Sequence, residues 1–310
     1  MPWAPNNLAT KGALASFHQA METVDPVFLR HAQITQSTSA SETYVFPGFI
    51  PTPRQFLGNR QFQDARDFTF TLTNSEYELS MIVNRKSWED DQVGLINARM
   101  AEMGEVWNSW KDSLFATLLT NGNVSGNNGF DGTTFHADTH ATGTTGLVAD
   151  NNIAGVAAVT TAITAAEFLT MTNTARSTFL GFTDDTARAG YNKVAVNNLR
   201  FIMTTGHGRG AFEAMNQVAY TGGSGATAEF GKFVAGVDIM PELTGGTEVY
   251  ASALGSARKP FIYQERTPLE IIIKAGADDV AENNGVMVLT RQRYILTYGD
   301  FRRSLLITLA

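Results

Sequence analysis

Asp67-Phe68-Thr69-Phe70-Thr71-Leu72-Thr73 alternates apolar and polar side chains without a break, and after Asn74-Ser75 the alternation resumes at Tyr77, Leu79 and Met81. A period of two is the pattern of a strand with one buried face. Asn74-Ser75 is a turn signal, so the two runs predict a β-hairpin over residues 67–83, with Phe68, Phe70, Leu72, Tyr77, Leu79 and Met81 on its apolar side. Two strands alone are marginal in water. The hairpin therefore needs a surface to lie on, in its own chain or in another.

Upstream, Tyr44-Val45-Phe46 is extended, and Pro47, Pro51 and Pro53 exclude a helix between them. Arg54 to Phe62 is expected to form a short helical turn. Leu8 to Met21 predicts a short helix with Leu14, Phe17, Ala20 and Met21 on one side, broken at Asp25-Pro26. Residues 33–42 are polar. Residues 1–43 cannot close a core alone, which leaves a frayed terminus or an arm that orders against a neighbouring subunit.

Downstream, Ile96, Met100, Met103, Trp107, Trp110, Leu114 and Leu118 recur at spacings of four and three and predict one long helix over residues 92–122. Glu89-Asp90-Asp91 suits its N-terminus, and Asn121-Gly122 stops it. Gly94 and Gly104 within it imply close packing. Residues 123–160 are expected to be loop and short strands, anchored by Val124, Phe130, Phe135, Leu147 and Val148. Helices at 164–180 and 210–219 and strands at 192–203, 232–240, 248–253 and 259–264 suggest a small α/β subdomain. Longer strands follow at 269–274 and 286–298, separated by an acidic turn at 277–284, with a last strand at 303–309.

The chain has 310 residues, enough for one or two domains. Its net charge of -7 and pI near 5.3 argue against a uniformly basic surface that coats nucleic acid. The absence of cysteine removes disulfides, thiolate metal sites and cysteine nucleophiles. No apolar run is long enough for a membrane-spanning helix, and the start Met-Pro-Trp-Ala-Pro-Asn-Asn predicts no secretory signal.

Candidate chemistry is sparse. His136-Ala137-Asp138-Thr139-His140 has donors for zinc or iron, but its Gly- and Thr-rich flanks favour a structural loop. Gly206-His207-Gly208-Arg209-Gly210 resembles a phosphate cradle yet lacks a P-loop ending, and a Gly-rich turn capping a helix is the expectation. Glu89, Asp90 and Asp91 are expected at a helix start rather than around a cation, and Trp107 and Trp110 in a core rather than under a ligand. No Gly-x-Ser-x-Gly elbow is present. The expectation is a protein that is not an enzyme, with no cofactor and no metal.

The order of arm, hairpin, long helix, Gly-rich loop, α/β subdomain and returning strands resembles the Hong Kong 97-type major capsid protein of tailed phages. Three segments are similar to the Mu-like phage major head subunit family: Arg54-Gln55-Phe56-Leu57-Gly58-Asn59-Arg60, Asn84-Arg85-Lys86-Ser87-Trp88-Glu89-Asp90-Asp91, and Phe130-Asp131-Gly132-Thr133-Thr134-Phe135 running to His140. One departure is His136, which stands where a second aromatic is expected. The resemblance is carried by residues 44–140.

It implies an α+β capsid fold: an N-terminal arm (1–43), an extended hairpin loop (44–91), a peripheral domain with the spine helix and Gly-rich loop (92–160), an axial domain (161–264), peripheral strands (265–300) and a C-terminal strand returning to the axial domain (301–310). It implies a shell subunit of a phage or prophage virion, assembled in the bacterial host cytoplasm as hexamers and pentamers of itself. The implied partners are a separate scaffold, a maturation protease, a portal protein, a decoration protein and packaged double-stranded DNA held by non-specific proximity. No membrane is involved. The alternatives are an encapsulin-like nanocompartment shell and, further off, a metal-dependent enzyme at His136 and His140.

Overall fold

The chain first builds a helical layer. Helix α1 (Asn7–Thr23) buries Ala13, Phe17 and Ala20, and a short α2 (Phe28–His31) leads into strand β1 (Ala32–Gln36). Strands β2 (Ser41–Phe49), β3 (Arg66–Thr73) and β4 (Ser75–Asn84) follow, then α3 (Arg85–Glu89) and the 26-residue α4 (Leu95–Thr120). The computed structural model describes residues 7–49, 55, 58, 66–90, 94–142, 147–155, 162–183, 191–216, 220–221, 227–228, 234–244, 246–274 and 284–309. Most of the expected turn at 54–62, Asp91, and the acidic turn up to residue 283 lie outside them.

Three short strands, β5 (His140–Thr142), β6 (Leu147–Ala149) and β7 (Asn152–Ala154), precede α5 (Ala165–Gly181). Thr164 and Glu167 close a reciprocal capping box at the start of α5. Then come β8 (Leu199–Met203), α6 (Thr205–Asn216), the two-residue β9 (Tyr220–Thr221) and β10 (Thr227–Ala228), β11 (Val234–Ile239), β12 (Glu248–Ala253), the 14-residue β13 (Phe261–Lys274) and β14 (Gly285–Tyr298), and β15 (Ser304–Thr308). The strands form a four-stranded sheet in the order β1-β13-β14-β4 and a five-stranded sheet in the order β11-β8-β12-β15-β7.

The expected hairpin over 67–83 is corrected. β3 pairs with β2, Phe46 opposite Phe68 and Tyr44 opposite Phe70, while β4 pairs with β14, Leu79 opposite Thr290 and Met81 opposite Val288. The reason lies at Asn74. A two-residue hairpin turn needs positive φ, and among the described residues Asn284 is the one non-glycine with it. Asn74 instead donates its side-chain amide to Ser37 Oγ (3.2 Å) and to the carbonyls of Ser39 and Ala40, and accepts from Gln264 Nε2 at 2.8 Å. It splices the chain from one sheet into another without reversing it. The true hairpin is β2–β3, and the segment 50–65 joins its strands.

Tyr77, Leu79 and Met81 accordingly face their own subunit. They pack on a cluster of Ala13, Phe17, Val83, Ile96, Met100, Met103, Trp107 and Val288 between the four-stranded sheet and the helices. This cluster also corrects the reading of residues 1–43, because α1 lies on α4 within the chain. A side chain at Gly104 would run into the carbonyl of Phe17, so the two backbones touch, as the glycine implied. Gly94 is not inside the helix but caps it at φ 72°.

The apolar stripe of α4 divides. Ile96, Met100, Met103 and Trp107 are buried, and the buried line continues through Lys111, Phe115 and Leu119. Trp110 is 49% exposed, and Leu114 and Leu118 are half-buried. A spacing of strict fours from Trp107 follows the partner surface, whereas the step of three to Trp110 rotates off it.

Two other expectations change. The strands expected at 259–264 and 269–274 are one strand, β13, whose register shifts on either side of Thr267, next to Pro268, which has no N–H for the ladder. Gly206 to Gly210 lies within α6, not ahead of it. A Cβ on Gly208 would sit 2.7 Å from Ile239 Cδ1, and one on Gly210 would strike the Ile163 carbonyl. Gly208 thus lets α6 approach β11, and Gly210 lets it approach the segment that leads into α5.

Candidate assembly surface

The β2–β3 hairpin is fastened at its base by a run of rings. Phe46 stacks on Phe130 with centroids 4.6 Å apart, Phe68 meets the same ring at 5.4 Å, Phe130 stacks on Phe301 at 5.0 Å, and Phe301 stacks on His140 at 3.8 Å. The Arg302 guanidinium lies 5.2 Å from the Phe130 centroid. Leu72 is buried, whereas Phe68 and Phe70 are half-buried against the same core. On the far strand Tyr44 donates its hydroxyl to Gln264 Oε1 at 2.7 Å, and Val45 stays exposed.

The histidines serve this anchor. His140 Nδ1 is 2.7 Å from Asp131 Oδ2, and its Nε2 is 3.1 Å from Asn151 Oδ1. Asn151 donates to the carbonyls of Phe135 (2.8 Å) and Phe301 (3.2 Å). Gly132 makes the turn with φ 80°. The Phe130-Asp131-Gly132…His140 motif thus acts as a buckle holding the hairpin base to the C-terminal segment. His136 Nε2 lies 2.9 Å from Ser304 Oγ, and its ring is wedged against Gly122 and edge-on to Phe135. Burial, with His140 nearby, pushes its pKa down to about 3, so the ring is neutral. Asp138 instead accepts from Asn152 Nδ2 at 2.8 Å. Among the described residues no group of three His, Cys, Asp or Glu is arranged to hold a metal.

A second feature lies along α4. Tyr77, Glu78 and Leu79 of β4 and Val106, Trp107 and Trp110 of α4 line an open cleft of about 290 Å³. A smaller one of about 130 Å³ adjoins it at Tyr77, lined among others by Leu114, Leu118 and Tyr298. The half-exposed branch of the helix stripe therefore lines a trough beside β4, whose other edge carries no strand among the described residues.

Asp238 on β11 was not singled out by any sequence pattern. Arg200 grips its two oxygens at 2.9 Å each, Arg30 donates at 2.7 Å, and His31 Nε2 is 3.0 Å away. Burial alone would raise the Asp238 pKa, but the hydrogen bonds from His31 and Arg200 outweigh it and hold the carboxyl well below its usual range. The knot ties α2 to the five-stranded sheet. Its members are up to 208 residues apart in sequence, so no local spacing reveals them.

The fold is that of Hong Kong 97-type capsid subunits. It matches a solved procapsid subunit of bacteriophage JBD30 with TM-score 0.55 and 21% identity, over 97% of this chain and 74% of that one. It matches the capsid subunit of cyanophage P-SCSP1u with TM-score 0.61 and 12% identity, over 92% and 88%. The sequence is 26% identical over 106 residues to the major capsid protein of Escherichia phage Mu, which is 34% of this chain and 35% of that protein. The chain spans about a third of the length of the curated relatives it matches. Among the described residues no helix is long and apolar enough to cross a membrane. The profile of the Mu-like prophage major head subunit gpT matches residues 7–176, more than half of the sequence, and the chain belongs to that family.

Proposed function

We propose that this chain is the major head subunit of a tailed phage or prophage, self-assembling into the icosahedral shell around double-stranded DNA. The family match over residues 7–176 carries this reading and favours a phage head over a cellular nanocompartment of similar fold. The β2–β3 hairpin supports it physically. Its base is locked to the subunit through Phe46, Phe68 and Phe130, and a pair of strands anchored in this way is suited to contact a neighbouring copy. The acidic balance suits a wall that encloses DNA without adhering to it.

In this reading the subunit has no catalytic role. Hexamers and pentamers of the chain form the shell, with scaffold, protease, portal and decoration proteins as separate partners. Electron microscopy of the expressed chain, with and without its co-expressed scaffold, tests it. Closed shells of uniform diameter are expected. A monodisperse monomer under both conditions refutes the reading.

A further inference from the structure

His140, the first residue of β5, is fully buried, and both of its ring nitrogens have a partner. Nδ1 lies 2.7 Å from Asp131 Oδ2, and Nε2 lies 3.1 Å from Asn151 Oδ1. A neutral imidazole offers one N–H and one lone pair. Which nitrogen carries a proton follows from what each partner can do.

Asn151 leaves no choice. Its Nδ2 donates to the carbonyls of Phe135 and Phe301, which can only accept. Its Oδ1 accepts at 2.8 Å from the N–H of Ala137, which can only donate. Turning the amide over would set its oxygen against two carbonyls and its NH₂ against an N–H, in a site with no exposure. The oxygen therefore faces His140, and Nε2 must donate to it. On the other side Asp131 brings a carboxylate, whose Oδ1 already accepts from the N–H of Thr133 at 3.2 Å. Its Oδ2 accepts from Nδ1. A ring that donates from both nitrogens carries a positive charge.

The surroundings suit a cation. The Asp131 side chain is buried beside it and supplies the opposite charge. The ring lies flat on Phe301, at 3.8 Å and 7°, and the face of an aromatic ring attracts positive charge. The other ionisable groups around it are engaged elsewhere or neutral. Arg302, next to Phe301, is bound to Asp300 at 2.9 Å, Asp138 accepts from Asn152, and His136 is uncharged.

We propose that His140 is a buried imidazolium and that its charge is the lock on the base of the β2–β3 hairpin, so that loss of one proton loosens those strands. The connection is short. Phe301 beneath the ring stacks on Phe130, and Phe130 holds Phe46 and Phe68. Without its second proton the ring sets a lone pair against an oxygen of Asn151 or Asp131, and one attraction becomes a repulsion. The hairpin is held at the lower pH and slackens as the pH rises.

Nitrogen-15 NMR of the full chain, labelled at histidine, tests this. The chain has five histidines, and His140→Gln identifies the His140 signals by their loss. At neutral pH both His140 nitrogens are expected to carry a directly bonded hydrogen, and a single protonated nitrogen overturns the proposal. Asp131→Asn is expected to leave a neutral ring, because an asparagine amide can donate to Nδ1 while Nε2 keeps its proton for Asn151. In that variant the amides of the β2–β3 ladder are expected to exchange with deuterium at least about tenfold faster than in the unaltered chain. Corrected for intrinsic rates, their exchange in the unaltered chain is expected to quicken as the ring loses its proton at rising pH, and in the variant to stay level over the same range. Equal protection in the two chains, or a ladder whose exchange ignores the charge of the ring, overturns the lock. If Asp131→Asn does not fold, the proton count on His140 and the pH course of the unaltered chain decide the matter.

Discussion

The two sheets of this subunit bury their residues in different ways. In the five-stranded sheet burial runs through consecutive positions: Val249 to Ala253 on β12 and Ser304 to Ile307 on β15 are all buried. Phe201 meets Phe168 of α5 on one face, and Tyr250 meets His136 on the other. A strand covered on both faces is apolar throughout. In the four-stranded sheet burial alternates. Leu79, Met81, Val288, Ile271 and Ile273 turn toward α1 and α4, while Ile82 and Ile272 are more than half exposed. One sheet is completed by its own chain. The other keeps an exposed face and, among the described residues, an edge at β4 with no strand beside it.

The largest expected effect lies in the covered sheet. Phe201→Ala removes a fully buried ring and is expected to cost roughly 3–5 kcal/mol, read by denaturant unfolding of the subunit. A cost near that of a surface change would mean that this sheet is not closed.

The second effect is a pH dependence at the same sheet. The folded pKa of His136 is about 3, against about 6.5 when unfolded. The unfolded chain therefore takes up the proton first, and stability rises with pH through this window and is flat above it. Between pH 6.5 and 4.5 the His136 contribution is expected to fall by about 2–3 kcal/mol. His136→Gln should remove that part of the slope, and an unchanged slope would show that the ring is not sealed against Ser304.

The smallest effects belong to the open sheet and its helix. Trp110→Ala and Ile272→Ala are each expected to change subunit stability by no more than about 1 kcal/mol. Trp107, four per cent exposed and donating to Gln292 Oε1 at 3.3 Å, is the contrasting position on the same helix. A large loss at Trp110 would erase the distinction between the two branches of the stripe.

Sequence periodicity by itself determined the long helix, the helix over 164–180 and the strand character of residues 67–83 and of β12, β14 and β15, while the motif from Phe130 to His140 was legible only through the family resemblance. Each is a local property, set by side chains a few residues apart. Pairing was decided only in three dimensions. Alternation says that a strand has two faces but not which strand lies beside it. The hydrogen bonds of Asn74 to Ser37, Ser39, Ala40 and Gln264 made a splice where a turn was expected. Likewise the spacing of Trp107 and Trp110 places both on one stripe. The surface they meet rotates away along α4, so one became core and the other the floor of an open trough. The Asp238 knot and the ring stack from Phe46 to His140 join residues far apart in the chain. They exist because packing brings those residues together, which no window of sequence contains.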